Sequence, residues 1–122
     1  MIAFLKALFG AGGPHVGPDE AVQVLNRGAA MLDVREPGEF AAGHADGAIH
    51  VPLGRIRARG VAAIDALALP EGTSEILLVC HSGMRSRLAQ ASLSKDPRRR
   101  YVNVDGGMAA WAASGLPVVR GH

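Results

Sequence analysis

The stretch SEILLVCHSGMRSRLAQ, Ser74 to Gln90, decides how the rest of the chain is read. SEILLVC is a short, continuous apolar run behind a turn signal, EGT, and reads as a buried strand. From Arg85 onward RSRLAQASLS reads as a helix, with Leu88, Ala89, Ser92 and Leu93 on one face. A buried strand that passes straight into a helix is the repeating unit of an α/β sheet. The chain's one cysteine, Cys80, sits at that junction.

Upstream, Pro18 followed by Asp19 and Glu20 marks a helix start, with acids at the positive end of the helix dipole. Ala21, Val24 and Leu25 line one face, and Asn26 to Gly28 supply the stop. AMLDV, Ala30 to Val34, reads as a second buried strand. REPGEFAAGHADG is loop-like with one helical turn around Glu39 to Ala42, and AIHV is a short strand ending at Pro52. LGRIRARGVAAIDALALP carries helical content interrupted by Gly60, with Ile64 and Leu67 or Ala68 on a common face. Downstream, YVNV is a strand, DGG a tight turn, and MAAWAAS a last helix. Met108, Trp111 and Ala112 are its core face, and Gly115 its stop. Strands alternating with helices predict an α/β fold, a parallel sheet with helices on both faces.

In such a sheet, ligands bind beyond the carboxyl ends of the strands. That edge collects Arg35 and Glu36, Pro52, Cys80 to Ser86, and Asp105 to Gly107. Arg98 to Arg100 precede a strand, fall on the opposite edge, and read as a solvated turn.

The chain's 122 residues suit one domain, which at this size buries roughly two-thirds of its unfolded surface. A single cysteine excludes an intrachain disulfide and suits a reducing compartment, hence a cytoplasmic location. No cysteine–histidine spacing reads as a metal site. The net charge of +2, carried mostly by arginine, favours anionic small molecules or acidic partner surfaces over nucleic acid. The apolar part of MIAFLKALFGAGG is far shorter than the about twenty residues of a transmembrane helix, and it lacks the marks of a signal peptide. Residues 1–16 are expected to form a short apolar helix and a Gly/Pro-rich linker, GAGGPHVGP, ahead of a domain over 17–120. That helix is expected to dock on the domain or a partner, with a membrane-surface contact through residues 1–9 as the weaker alternative.

At Cys80 the chain turns from strand to helix, and Gly83 permits the backbone angles the turn demands. Unpaired N–H groups of the loop and of the helix's first turn then converge into an anion-binding nest. A cysteine at its mouth has its thiolate stabilised by those groups and by Arg85. At an ordinary pKa of about 8.5 only roughly 3% of a thiol is ionised at pH 7; lowering it by about two units gives roughly three-quarters thiolate.

LDVREPGEF (Leu32 to Phe40), GHADGAIHVP (Gly43 to Pro52), VCHSGMRS (Val79 to Ser86) and VDGGMAAW (Val104 to Trp111) occur in order. With that order and spacing the chain resembles a single-domain rhodanese, of the sulfurtransferase family. The resemblance implies a roughly five-stranded parallel sheet and an active-site loop that begins at Cys80. It implies that Cys80 takes the outer sulfur of thiosulfate or a persulfide donor and passes it to a thiophilic acceptor such as cyanide, a thiol or a partner protein. On that reading His81, Ser82, Gly83, Met84, Arg85 and Ser86 bind the substrate, Asp33 and Arg35 brace the loop, and no cofactor or metal is needed. The alternatives are a sulfur-relay carrier and a regulatory or redox-sensing module with little turnover.

Four residues separate Cys80 from Arg85, one fewer than in the related phosphatases and arsenate reductases, which suits sulfur over a tetrahedral oxyanion. His81 stands where many relatives carry Arg or Lys, and Asp46 where a proline is usual. His44 and His50 are expected to satisfy local hydrogen bonds. Gly106 and Gly107 are expected to allow close approach to the loop.

Overall fold

A computed structural model describes residues 13–121. Five strands form a parallel sheet: β1 (His15–Val16), β2 (Ala30–Asp33), β4 (Ile49–His50), β5 (Glu75–Val79) and β6 (Arg100–Val104). Their spatial order is β1-β6-β5-β2-β4, so β5, the strand that leads to Cys80, lies at the centre. Two further short strands, β3 (His44–Ala45) and β7 (Val118–Val119), pair antiparallel as a separate ribbon. The helices are α1 (Pro18–Asn26), α2 (Pro37–Ala42), α3 (Leu53–Arg59), α4 (Val61–Asp65), α5 (Met84–Ser92) and α6 (Gly107–Ala113).

Side chains alternate across the pleat and divide the core into two layers. Ile76, Leu78 and Cys80 meet Ile56 of α3, Ile64 of α4, and Ala89 of α5 on one face. Leu77 and Val79 meet Ala21 and Val24 of α1, and Met108 and Trp111 of α6, on the other. The side chains of β5 from Ile76 to Val79 are all fully buried. Truncating one such Leu or Ile to Ala costs about 2–5 kcal/mol. Helices on both faces of a five-stranded parallel sheet match the sequence expectation.

Several local expectations are corrected. Part of the expected linker is a strand: His15 and Val16 pair with Asn103 and Val104 of β6. The other expectations for the N-terminal segment fall on residues 1–12, outside the described residues. The turn around Glu39 is a complete short helix, α2, opened by a capping box. Pro37 stands in its first turn, and the Glu39 carboxylate accepts from the N–H of Glu36. In α5, Leu88 and Ser92 are exposed, and the inner face is Ser86, Ala89, Gln90 and the following Leu93. Polar Ser86 and Gln90 turn inward because each finds partners there. Gln90 donates to the carbonyls of Pro14 and Tyr101, and Ser86 bonds around the loop. Ala112 is likewise exposed, while Met108 and Trp111 are buried and the Trp111 indole donates to the Pro117 carbonyl at 3.0 Å.

Arg98 to Arg100 lie on the edge away from Cys80 as expected, and Arg98 and Arg100 are solvent-exposed, but Arg99 is not. Arg99, only 13% exposed, bridges Asp65 and Asp96, and the Tyr101 hydroxyl donates to Asp96 at 2.5 Å. Arg98 also pairs with Asp65, and Arg100 with Glu75. Among the described residues no helix is long and apolar enough to cross a membrane.

Candidate active site

Cys80 follows β5 directly, and its side chain leaves the sheet on the α5 face. The next three residues carry the chain over the sulfur. Gly83, in the left-handed region at φ +110°, bends it into α5 and donates its N–H to Cys80 Sγ at 3.0 Å. Ser86, fully buried in the first turn of α5, has its hydroxyl 3.5 Å from the same sulfur. The loop is pinned from behind by α6: Met108 N–H donates to the Cys80 carbonyl at 2.7 Å, and Ala109 N–H to the His81 carbonyl at 3.0 Å. That approach needs a bare backbone at Gly107, where a side chain would begin 2.3 Å from the Cys80 carbonyl oxygen. The close approach expected of the glycine pair is made by Gly107; a side chain at Gly106 would instead meet Ala110 of α6.

Burial pushes the Cys80 thiol up. The Ser86 hydroxyl and the N–H groups of Ser86, Gly83 and Ser82 pull it down and together prevail, so the thiol sits below its ordinary value. The nest anticipated from the sequence thus acts on the sulfur itself. Arg85 is held mainly by a carboxylate, and its charge also attracts an anionic Cys80 at longer range. Its guanidinium makes two bonds to Glu39 of α2, at 2.6 and 2.9 Å. Its hydrogen bond to Arg85 is the main reason the Glu39 carboxyl falls to about 2.

The substrate-binding residues expected from the sequence therefore separate into three groups. Ser82, Gly83 and Ser86 surround the sulfur with donors. His81 and Met84 stand on the exposed rim, Met84 at 74% exposure. Arg85 is committed to a carboxylate that the sequence reading did not single out. The sequence signal for Glu39 is its place three residues after Glu36 at a helix start.

Asp33 and Arg35 form a buried ion pair. Arg35 Nη2 lies 2.8 Å from Asp33 and 2.6 Å from the Gly43 carbonyl, and Arg35 Nε also donates to Asp33. Asp33 alternates with Leu32, so it leaves the sheet on the face opposite Cys80. None of the pair's side-chain hydrogen bonds reaches the cysteine loop directly. Its link to the loop is indirect: Arg35 ties down the end of α2, and α2 carries Glu39. His44 donates to or accepts from nothing catalytic: its ring stacks on Phe40 at 3.7 Å and bonds the Phe40 carbonyl, while His50 bonds the Arg35 carbonyl. Among the described residues no group of histidines, cysteines and carboxylates is placed to hold a metal.

Asn103 of β6 escaped the sequence reading. It is buried against Ser86, its only signal a polar residue inside an otherwise apolar strand.

Comparison with known proteins agrees with this architecture. The rhodanese-like domain of an Anabaena protein superposes with a TM-score of 0.71 over 88% of this chain and 80% of that one, at 22% identity. A rhodanese-like domain protein of Staphylococcus aureus gives 0.64 at 28% identity, covering 81% of this chain and 91% of the other. The family model for the rhodanese-like domain matches residues 17–114, so the chain belongs to that family. Thiosulfate sulfurtransferase 16 of Arabidopsis thaliana is 37% identical over 102 residues, 80% of this chain and 85% of the relative. A Bacillus subtilis protein provisionally named a sulfur carrier is 38% identical over 81 residues, 66% of this chain. The match covers only 40% of that protein's length.

Proposed function

We propose that the protein is a sulfurtransferase that carries sulfur as a persulfide on Cys80. The observation that carries this reading is the donor set aimed at one sulfur atom: the Gly83 N–H at 3.0 Å and the Ser86 hydroxyl at 3.5 Å. The names of two relatives, a thiosulfate sulfurtransferase and a sulfur carrier, point the same way.

In the first step the Cys80 thiolate attacks the outer sulfur of thiosulfate. The new S–S bond takes the cysteine's electron pair, the old S–S bond breaks, and sulfite leaves with its pair. The terminal sulfur of the persulfide is then anionic and lies over the loop, where the N–H groups that lowered the thiol also favour it. In the second step a nucleophile such as cyanide or a thiolate attacks that sulfur and returns the Cys80 thiolate. Two displacements through one covalent intermediate give ping-pong kinetics. With Arg85 held by Glu39, recognition of the donor's charge rests on the loop N–H groups, with Arg85 neutralised beside them.

The test is steady-state sulfur transfer from thiosulfate to cyanide beside the Cys80→Ser variant, with intact-mass detection of an added sulfur. Turnover that Cys80→Ser abolishes supports the reading. A persulfide without turnover to cyanide points to a relay carrier for a protein acceptor. Absence of both turnover and persulfide sinks the proposal.

A further inference from the structure

Behind Ser86 lies a polar group with nothing to bond. Asn103 is 1% exposed, its Oδ1 is a hydrogen-bond neighbour of Ser86 Oγ, and its Nδ2 is buried without a partner. The Ser86 hydroxyl also lies 3.1 Å from the Gly83 carbonyl and 3.5 Å from Cys80 Sγ. It has one proton for three neighbours, and two of them, the carbonyl of Gly83 and the amide oxygen of Asn103, can only accept. While Cys80 is a thiol the set is workable, because the S–H can donate to Ser86 Oγ. Once the sulfur is anionic it becomes a third acceptor and the hydroxyl proton is contested.

One motion removes an acceptor from that contest and gives the orphaned Nδ2 a partner. The two ends of a primary amide occupy nearly the same volume, so a half-turn about χ2 exchanges them without repacking. Nδ2–H then donates to Ser86 Oγ, and the hydroxyl proton is shared only between the sulfur and the Gly83 carbonyl, with the anionic sulfur the stronger acceptor.

We infer that Asn103 is a positioning residue for Cys80, turning its amide to donate to Ser86 whenever the sulfur is anionic, so that Ser86 in turn donates to the thiolate or persulfide. The inference rests on Cys80 as the reacting group. It deepens the proposed function by extending the anion-holding set from the loop into β6.

The experiment measures the thiol pKa of Cys80 from the pH dependence of its alkylation by iodoacetamide, a reaction that needs no sulfur donor. Asn103→Leu keeps the size and removes both amide functions; the pKa is expected to rise by about one unit, an about tenfold slower alkylation at a pH below it. Asn103→Asp keeps the shape, so it carries the test if the leucine variant fails to fold. Its carboxylate can only accept from Ser86 and adds charge near the sulfur, so its pKa is expected to rise further. In a Ser86→Ala background Asn103→Leu is expected to add nothing, because its effect runs through the hydroxyl. An unchanged pKa in Asn103→Leu, a lowered one in Asn103→Asp, or a full shift persisting without Ser86 each overturns the inference. Persulfide formation by the wild type is followed alongside. Its absence defeats the sulfurtransferase reading alone and leaves the alkylation result standing.

Discussion

Glu39 of α2 grips both terminal nitrogens of Arg85, at 2.6 and 2.9 Å, so the loop's arginine is tied to a helix from the neighbouring crossover. This changes what the residue is expected to do. A free guanidinium would lower the thiol directly; a neutralised one chiefly locks α2 against the start of α5. Arg85→Ala and Glu39→Gln should therefore cost stability more than they shift the thiol. Both partners are about one-third exposed, which limits the pair to about 1 kcal/mol after solvent screening. For a domain of this size that is a fall of about 3–6 °C in Tm. Thermal unfolding and alkylation profiles of the two variants check it. A thiol pKa that rises by more than a unit in Arg85→Ala at unchanged Tm would return the arginine to the sulfur.

The same pair sets a pH dependence. Glu39 is depressed from 4.5 to about 2 in the folded chain, first by the hydrogen bond from Arg85 and then by the Glu36 N–H, against an opposing effect of burial. A carboxyl whose folded value is lowered adds stability that is complete above its unfolded value and is lost as the pH falls through the folded one. The Tm difference between wild type and Glu39→Gln should be constant from neutral pH down to about 5, then shrink between 4.5 and about 2. Parallel Tm curves across that window would show that the pair contributes nothing to stability.

Asp33 and Arg35 are expected to matter for folding and little for the reactivity of the sulfur. Arg35→Leu strips a fully buried carboxylate of its cation and the Gly43 carbonyl of its donor. Breaking one side of a buried pair costs about 3–5 kcal/mol. Because Asp33 projects from the face opposite Cys80, the folded fraction should alkylate with the wild-type pH profile. Denaturant unfolding together with that profile separates the two roles. A shifted profile in the folded protein would mean that the pair braces the loop through α2 strongly enough to be felt at the sulfur.

What could be read from the sequence follows from what each residue's signal depends on. The run ILLVC announces a central strand because a strand buried on both faces is continuously apolar, and Cys80 then falls at the ligand edge by topology alone. The capacity of Gly107 to approach the loop was legible for a similar reason, since glycine pairs at a strand–helix turn have few other uses. His15–Val16 was not legible, because a two-residue edge strand between Pro14 and Gly17 has no period to detect. The inward turn of Ser86 and Gln90 was missed for another reason: hydrophobic patterning assigns polar residues outward, and only their partners in β6 and at Pro14 reverse that. Arg85 belongs with these. Its charge was visible, but the Glu39 carboxylate that claims it lies 46 positions away in sequence.

The sharpest consequence of the packing concerns Gly107. A Cβ there would sit 2.3 Å from the Cys80 carbonyl oxygen and 2.6 Å from the carbonyl carbon and oxygen of His81, all of them backbone atoms that no side-chain movement can clear. Its φ of +56° adds the ordinary left-handed penalty of about 1–2 kcal/mol. Gly72 separates the two costs. It is also in the left-handed region, at φ +87°, but a side chain there meets nothing within 4 Å. Gly72→Ala should thus lose about 1–2 kcal/mol from backbone strain alone. Gly107→Ala should lose clearly more, and should also break the bonds from Met108 and Ala109 that pin the loop. With the loop pushed away, the Gly83 N–H no longer meets the sulfur, and the thiol pKa should rise toward its ordinary value of about 8.5. Chemical denaturation of both variants, with alkylation of Gly107→Ala under conditions where it stays folded, tests this. Equal destabilisation of the two variants with an unmoved thiol would show that α6 can retreat from the loop without disturbing it.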